Sequence, residues 1–237
     1  MSQLFLVRHG QASFGAANYD QLSPLGYQQS AWLGEHFAEL GIQFSRVITG
    51  TLARQQQTAT QILQSSGQRV HIETDPGFNE FDFHTLVSVY CHSSGIDVPD
   101  TRDGGRVFFQ MLRKAIHAWS QDQLYARTMN LPTSQAPIQP ALENWSMFCD
   151  RVSNAMQALC THESEHNVLV VSSGGAMAMA ISQILECGVE TLINLNMQTR
   201  NTGIHHLFFN AKGFQLAGFN NQPHLQRQGR LHALTYT

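Results

Sequence analysis

The stretch Leu4-Phe5-Leu6-Val7-Arg8-His9-Gly10 decides the fold of this chain. Four apolar residues followed within three positions by a glycine are typical of a buried strand that ends in a tight loop. Ligands of open α/β sheets bind beyond the carboxyl ends of the strands, which is where Arg8 and His9 lie. A histidine there can accept a phosphoryl group while an arginine binds the phosphate oxygens. The alternative is a surface loop that happens to contain these two residues, and the rest of the chain decides between the two.

Outward from this strand, strand and helix patterns alternate. Ser23 and Pro24 mark the start of a helix, as N-cap and first helical residue, and Gly41 marks its end. Further strands are predicted at Arg46–Thr49, Val70–Glu73 and Val168–Val171, and further helices from Gly50-Thr51, over Val107–Trp119, over Glu143–Cys160 and from Ser172 to Leu185. A terminal hairpin is predicted from Ile204 to Phe219. This alternation predicts an α/β fold, a three-layer α/β/α sandwich with a mostly parallel central sheet.

Residues 85–140 interrupt the alternation. They combine a Gly/Asp/Pro-rich stretch (Gly95–Gly105), one predicted helix and a loop punctuated by prolines (Leu131–Pro140). We expect a cap insertion over the sheet, where substrate-covering loops lie, within a single domain of residues 1–237. The tail after Asn220 is polar, and its pattern predicts no conformation.

Composition limits the function classes. Hydrophobic residues make up 42% of the chain, which supports a real core, and the net charge of −3 gives no reason to expect nucleic acid or an anionic membrane surface as partner. No apolar run approaches the roughly 20 residues of a membrane span, and the start lacks a signal-peptide pattern. The four cysteines and twelve histidines have no metal-ligand spacing. We therefore expect a cytoplasmic protein with reduced thiols and without a metal or other cofactor.

Three more predicted loops at strand ends carry suitable chemistry. Arg54 lies in the first turn of a helix, whose N-terminus favours an anion. Glu80 lies among phenylalanines, where partial desolvation prepares a carboxyl group as a proton donor. Ser173 and Gly174 could hold phosphate through hydroxyl and backbone amide groups at a helix start. Each has an ordinary alternative: a solvated helix arginine, an exposed carboxylate, and a plain strand-to-helix turn.

Taken together, four sequence blocks in this order resemble the histidine phosphatase superfamily, also called the phosphoglycerate mutase-like family. The blocks are Arg-His-Gly after an apolar strand, the helix start Leu-Ser-Pro-x-Gly, the T-L-x-R-x-x-Q-T-A stretch at 51–59, and the x-x-E-x-D-F pattern at 78–83. The resemblance runs from Leu4 to about Leu207. It implies that His9 is the phosphorylated nucleophile, that Glu80 is the general acid and base, and that Arg8 and Arg54 bind the phosphate. The family needs no metal.

The chain departs from the family pattern after its late central strand. The family normally has Ser-His-Gly-Gly there, and this chain has Ser172-Ser173-Gly174-Gly175, so Ser173 stands where a second histidine is expected. A hydroxyl can donate one hydrogen bond to a phosphoryl oxygen, but it brings no charge. His84 or His205 could fill the gap. His205 is followed by His206 on a predicted strand. The side chains of these two neighbours point to opposite faces, so they do not form a joint ligand pair.

Other departures concern the substrate. Mutase-type members resemble Arg-His-Gly-Glu-x-x-x-Asn and carry basic residues after the acid that bind a second phosphate. This chain has Gln11 and Gly15 in the first set, and Phe81 and Asp82 after the acid. His84 replaces a glycine that is common in phosphatase-type members, which would reshape the mouth of the pocket. The departures favour hydrolysis over phosphoryl return to a sugar acid.

The leading hypothesis is a metal-independent phosphomonoesterase of the histidine acid phosphatase type, weakened by Ser173. Its rate should fall below the pKa of His9, which for an unperturbed histidine is about 6.5. The alternatives are a pseudo-phosphatase that only binds phosphate or a phosphopeptide, and a phosphoglycerate mutase. We expect the cap to set specificity, and its cations point to an anionic or amphipathic partner: Arg102, Arg106, Arg113 and Lys114. The oligomeric state is left open, with a homodimer among the options.

Overall fold

The computed structural model describes residues 2–13, 20–100, 105–124, 142–160 and 167–236. Within these ranges six strands form one sheet: β1 (Ser2–Arg8), β2 (Arg46–Thr49), β3 (Ile72–Thr74), β4 (Asn167–Ser172), β5 (Ile204–Asn210) and β6 (Gly213–Asn221). Their order is β3-β2-β4-β1-β5-β6. The first four strands in this order run parallel to one another. β5 runs antiparallel to β1, and β6 runs antiparallel to β5. The mostly parallel sheet and the terminal hairpin are therefore confirmed.

Helices cover both faces of the sheet. The helices of the described residues are α1 (Pro24–Glu39), α2 (Ala53–Ser66), α3 (Phe83–Ser94), α4 (Arg106–Ser120), α5 (Trp145–Leu159), α6 (Gly174–Ile184) and α7 (Val189–Gln198). Two single 3-10 turns lie at Pro76–Phe78 and Leu231–Ala233. None of these helices is long and apolar enough to cross a membrane.

The alternation of side chains along β1 divides the core into two layers. Leu4 and Leu6 join a large cluster that also contains residues of α3 to α7, whereas Phe5 and Val7 join a smaller cluster with α1 and α2. Successive side chains of a strand point to opposite faces, so one strand serves both layers. This arrangement confirms the three-layer α/β/α sandwich.

The sheet topology brings three strand ends to one edge. Arg8 at the end of β1 pairs with Ser172 at the end of β4, and the ladder continues one residue further, since the His9 N–H donates to the Ser172 carbonyl at 2.9 Å. β2 ends at Thr49 in the adjacent register. The loops that follow β1, β2 and β4 therefore meet at this edge.

Most predicted element starts are close to the observed ones. Ser23 caps α1 as predicted, since its Oγ accepts from the Gly26 N–H at 3.1 Å. The helix predicted from Gly50-Thr51 begins instead at Ala53, and the strand predicted at Val70–Glu73 is Ile72–Thr74. The helix predicted over Glu143–Cys160 is Trp145–Leu159, because Asn144 caps it with a bond from the Met147 N–H.

The start of the segment 85–140 contains a helix that the sequence analysis did not predict. α3 occupies Phe83–Ser94, capped by Asp82 and ended by Gly95 in a left-handed conformation (φ 66°). α4 matches the predicted helix to within one residue at each end. The division into a domain and a cap insertion remains a prediction. Gly15, Arg102 and the loop Leu131–Pro140 lie outside the described residues.

The polar tail after Asn220 has a defined structure. His224 and Leu225 are fully buried, and the tail is fixed to α1 because the Gln29 amide donates to the Ala233 carbonyl at 2.7 Å and to Thr235 at 2.9 Å. These buried anchors lead the chain back to the sheet edge at which β1, β2 and β4 end, where Tyr236 lies.

Candidate active site

His9 is held in one tautomer at the end of β1. Its Nδ1 lies 2.7 Å from the carbonyl oxygen of Gly10, which can only accept, so Nδ1 carries the proton. The lone pair is therefore on Nε2, which receives a hydrogen bond from Arg54 Nε at 3.2 Å. This is the tautomer that a nucleophilic histidine needs, with its attacking nitrogen turned toward a cation that can bind phosphate.

The surroundings of His9 keep it neutral. The side chain is buried, and burial is the main cause that lowers its pKa well below the ordinary value of 6.5; the charges of Arg54 and Arg8 lower the pKa further, and the bond to Gly10 opposes them. A neutral imidazole retains its nucleophilic lone pair at mildly acid pH. The expected fall in rate near pH 6.5 is thereby moved to lower pH.

The two arginines are positioned by the loops around them. Arg54 is buried in the first turn of α2 and pairs with Asp20, Nη1 to Oδ1 at 2.9 Å, while the other carboxylate oxygen accepts from the Ala53 N–H at 2.9 Å. Arg8 is half-buried, and its Nη1 donates to the Thr199 carbonyl. The two guanidinium groups are thus fixed beside His9.

Glu80 is held at the N-terminus of α6. Its Oε2 accepts from the Gly175 N–H at 3.0 Å, and Oε1 accepts from the N–H of Phe81 at 3.2 Å. A Cβ added at Gly175 would lie 2.3 Å from Glu80 Oε1 and 2.3 Å from the Phe81 ring, so only glycine permits this approach. The two N–H groups thus fix the position of the Glu80 carboxyl group.

The loop before Glu80 is braced from α5 by Arg151. Its Nη1 donates to the carbonyls of Gly77 at 3.0 Å and Asn79 at 2.8 Å, and its guanidinium pairs with Glu143. No sequence pattern indicated this role, because Arg151 lies far along the chain in an ordinary amphipathic helix.

Arg8, His9, Arg54 and Glu80 line one cavity of about 260 Å³. The other described residues that line it are Phe81, Phe83, Phe109, Leu112, Asn196, Met197 and Tyr236. Four of the six candidate site residues are thus brought together, and their catalytic roles remain predictions. α4 supplies two of the additional residues and α7 two more, and no motif in the sequence pointed to these or to Tyr236.

Ser173 and Gly174 are not among the residues that line the cavity. Ser173 is fully buried, and its Oγ accepts from the Gln55 amide at 2.8 Å; the same amide donates to the Phe78 carbonyl at 3.0 Å. Gly174 lies behind Arg8, since a Cβ there would be 3.6 Å from Arg8 Nε and 2.7 Å from Asn196 Oδ1. The position expected for a second histidine therefore holds a hydroxyl that is bonded to a buried amide.

The two histidines considered as substitutes are not among the described residues that line the cavity. His84 is exposed and packs on Phe83, with ring centroids 4.4 Å apart. His205 is buried against Phe219, and burial lowers its pKa to about 3. His206 stacks on Phe5 in the other layer of the core, which agrees with the expected opposite orientation of the two neighbours.

The described residues were expected to hold no metal-binding cluster. In the described part of the chain, no group of three or more histidine, cysteine, aspartate or glutamate side chains is arranged to hold a metal ion. The site is instead built from an imidazole, two guanidinium groups and one carboxyl group, a set that handles phosphate by charge and proton transfer.

Comparison with known proteins identifies the family. The profile of the histidine phosphatase superfamily (branch 1) matches residues 4–89 and 109–222, which is most of the chain. The chain therefore belongs to the histidine phosphatase superfamily. The match supports phosphoryl transfer through histidine in general, as do the curated relatives, which are phosphoglycerate mutases.

The similar proteins include both mutases and a phosphatase. The chain is 33% identical over 208 residues to a 2,3-bisphosphoglycerate-dependent phosphoglycerate mutase of Rhizobium meliloti, covering 83% of this chain and 85% of the relative. Its fold is similar to phosphoglycerate mutase from Bacillus anthracis (TM-score 0.64, 18% identity, 94% of each chain). It is also similar to a phosphoserine phosphatase mutant from Entamoeba histolytica (TM-score 0.62, 19% identity, 95% of this chain and 100% of that one). The structural likenesses concern the fold alone.

Proposed function

We propose that the protein hydrolyses phosphate monoesters without a metal, through a phosphohistidine on His9. The observation that carries this proposal is the lone pair of His9 Nε2, which is turned toward Arg54 in a cavity that also contains Glu80. A nucleophile, a phosphate-binding cation and a proton donor in one cavity are what two-step phosphoryl transfer requires.

The reaction has two steps. His9 Nε2 attacks phosphorus, the bond between phosphorus and the ester oxygen breaks, and protonated Glu80 gives its proton to that oxygen. Glu80, now ionised, takes a proton from water as the water oxygen attacks the phosphohistidine. The bond between phosphorus and Nε2 breaks, phosphate leaves, and both residues return to their starting states. Arg8 and Arg54 neutralise the charge on the phosphoryl oxygens in both steps.

Ser173 is expected to slow this reaction. A charge-assisted hydrogen bond contributes about 1.5–3 kcal/mol, and its loss from the transition state alone corresponds to a roughly 10- to 150-fold lower rate. We expect weak but real turnover. Because Ser173 is bonded to Gln55, a histidine at 173 needs the space that this amide fills. Ser173→His together with Gln55→Ala should raise kcat, whereas Ser173→His alone should raise it less; equal kcat in all three proteins would mean that position 173 does not act on the transition state.

A phosphoglycerate mutase is the second candidate, favoured by the names of the curated relatives. Against it, Arg8 and Arg54 are the only cations among the described residues that line the cavity, and both lie beside His9. A bisphosphoglycerate has a second phosphate and a carboxylate that need cations of their own. The third candidate, a pseudo-phosphatase that binds phosphate or a phosphopeptide, would have little need for Glu80.

The test is hydrolysis of p-nitrophenyl phosphate in EDTA by the wild-type protein, His9→Ala and Glu80→Gln. Turnover that persists in EDTA and is lost in His9→Ala is the expected result. Absence of turnover with retained vanadate binding would favour the pseudo-phosphatase. Conversion of 3-phosphoglycerate primed by bisphosphoglycerate, faster than hydrolysis, would favour the mutase. A cytoplasmic location and a homodimer remain predictions.

A further inference from the structure

The described residues that line the cavity are of two kinds. Charged groups surround His9, and six side chains, here called the wall, are apolar or aromatic: Phe81, Phe83, Phe109, Leu112, Met197 and Tyr236. When the phosphoryl group of a substrate is held beside His9 by the arginines, the wall is the main surface that the leaving group meets. The wall therefore determines which alcohols can occupy the site.

The wall faces the cavity because of how α4 packs. Phe108, Leu112 and Trp119 of this helix are buried in the core, and Leu112 together with Phe109 also lines the cavity. Phe109 is half-buried and meets Phe108 edge to face, with ring centroids 5.9 Å apart. An aromatic ring supported from behind in this way is a fixed apolar surface.

Apart from Arg8 and Arg54, the described residues that line the cavity carry no cation. Glu80 supplies a carboxyl group, which is protonated when the ester binds in the proposed reaction, and Asn196 supplies a neutral amide. Nearby cations have other partners: Arg113 pairs with Glu190 at 2.6 Å, and Arg200 lies over the Tyr236 ring, 5.1 Å from its centroid, with Nη1 bonded to Gln222 at 3.1 Å. With both lining arginines engaged by the phosphoryl group, these residues offer no further cation to a leaving group that carries its own carboxylate or phosphate.

We infer that the substrate is the phosphate monoester of an uncharged, apolar alcohol, alkyl or aryl, with a single phosphate group. This inference rests on the proposed hydrolysis and adds the class of leaving group. Burial of each methylene contributes to binding in proportion to its area, and full burial corresponds to an increase of about fourfold in kcat/KM for each added methylene.

The experiment compares monoesters of primary alcohols, whose leaving groups have similar intrinsic reactivity. The substrates are ethyl, butyl, hexyl and phenethyl phosphate, with glycerol phosphate and 3-phosphoglycerate as polar members. The expected result is a kcat/KM that rises two- to fourfold per methylene and that is at least tenfold lower for 3-phosphoglycerate than for hexyl phosphate. A flat series, or a preference for 3-phosphoglycerate, would overturn the inference while leaving hydrolysis intact.

Two variants on α4 test whether the wall causes the dependence of kcat/KM on chain length. Phe109→Gln replaces apolar wall surface with an amide, and it should reduce the dependence of kcat/KM on chain length to less than twofold per methylene. Val107→Gln is the matched control, because Val107 is exposed on the same helix and does not line the cavity. An unchanged slope in Phe109→Gln, or an equal loss in both variants, would contradict the role of the wall. If no ester is hydrolysed by the wild-type protein, the proposed function itself fails.

Discussion

At the scale of single residues, the dry environment of His9 does two things. It lowers the pKa of the imidazole, and it strengthens the hydrogen bond from Arg54 because little water competes for either group. In the proposed reaction, the phosphoryl group takes over this bond. The donor that holds His9 before the reaction would then bind the phosphoryl oxygens during it.

The first prediction concerns the pH dependence of the reaction. Since burial and two arginine charges lower the pKa of His9, the imidazole stays neutral below pH 6.5 and loses its lone pair only at lower pH. The acid limb of kcat/KM, corrected for the second ionisation of the substrate, should lie below pH 6.5. The measurement is kcat/KM for one ester from pH 4 to 8. A midpoint at or above 6.5 would show that His9 titrates as an ordinary exposed histidine.

The second prediction concerns Gly175. A methyl group there would lie 2.3 Å from Glu80 Oε1, so Gly175→Ala displaces the proton donor. General acid catalysis is worth about 10²- to 10⁴-fold, and we expect kcat for an alkyl phosphate to fall by about 100-fold. The fall should be smaller for p-nitrophenyl phosphate, whose leaving group hardly needs a proton.

The control for this variant is Gly188→Ala. Gly188 has no atom within 4 Å of an added Cβ and lies before α7, so its kinetics should equal those of the wild-type protein. Equal losses of kcat on both esters in Gly175→Ala would indicate general disruption of the site rather than loss of the acid.

The sequence predicted the residues of the site that belong to short blocks and missed those that depend on distant packing. Arg8, His9, Arg54 and Glu80 each follow a strand or open a helix, so the order of elements is enough to bring them to one edge. Asn196, Met197 and Tyr236 reach the same cavity from later elements whose position depends on the finished core. For Ser173, the sequence could not reveal that a buried amide from α2 takes up its hydroxyl.

At the scale of elements, α2 depends on a residue far from it in sequence. Leu52 precedes the helix without a side-chain cap, and the first N–H groups bond to the carboxylate of Asp20, Ala53 at 2.9 Å and Arg54 at 3.4 Å. A carboxylate at a helix N-terminus satisfies these donors and interacts favourably with the helix dipole. The loop after β1 thus stabilises the helix that carries the phosphate-binding arginine.

The third prediction follows from this distant cap. Asp20→Ala should lower the free energy of unfolding by more than the usual cap cost of about 1 kcal/mol, because it also removes the partner of the buried Arg54, and Asp20→Asn should restore the capping part because an amide oxygen also accepts from N–H groups. Urea unfolding measures both. Ser23→Ala, which removes the cap of α1, gives the cost of an ordinary cap in the same protein. If Asn at position 20 were as destabilising as Ala, the carboxylate charge rather than the capping bond would hold α2.

Two helices escaped prediction for local reasons. α3 begins inside the sequence block that contains Glu80. Its N-cap is Asp82, which accepts a hydrogen bond from the Thr85 N–H at 2.9 Å, and the sequence pattern alone assigns Asp82 to a loop. α7 has Gly188 at its N-cap with no side-chain cap, and its sequence contains two asparagines. Asparagine is a weak helix former, so packing against α4 and α6 stabilises this helix more than its own propensity does.

At the scale of the whole molecule, the fold buries several neutral imidazoles. Besides His9, the fully buried His205 and His224 have pKa values lowered to about 3; burial is the main cause for both, and His36, Arg230 and Arg227 add to it for His224. The unfolded chain binds protons on these groups below about pH 6.5, whereas the folded chain does not. Their contribution to stability is therefore complete above pH 6.5 and is lost as the pH falls from there toward 3.

The fourth prediction is that the free energy of unfolding falls on acidification from pH 6.5, by up to about 1.4 kcal/mol per pH unit for each buried histidine. Urea unfolding at pH 7.5, 6.5, 5.5 and 4.5 measures the slope. His224→Gln removes one titrating group and should make the slope shallower by up to that amount. His71→Gln, on the surface, is the control and should leave it unchanged. Parallel slopes in all three proteins would mean that His224 is as easily protonated in the folded chain as in the unfolded one.

The tail that returns to the catalytic edge matters for anyone who handles the protein. Tyr236 lines the cavity, so an affinity tag or fluorescent protein fused after Thr237 would begin two positions after a residue that lines the cavity. Ser2 lies at the opposite end of β1, about 23 Å from His9 at the usual rise per residue of a strand. Fusions at the amino end leave the entrance open, and surfaces or probes for immobilised assays are best attached there.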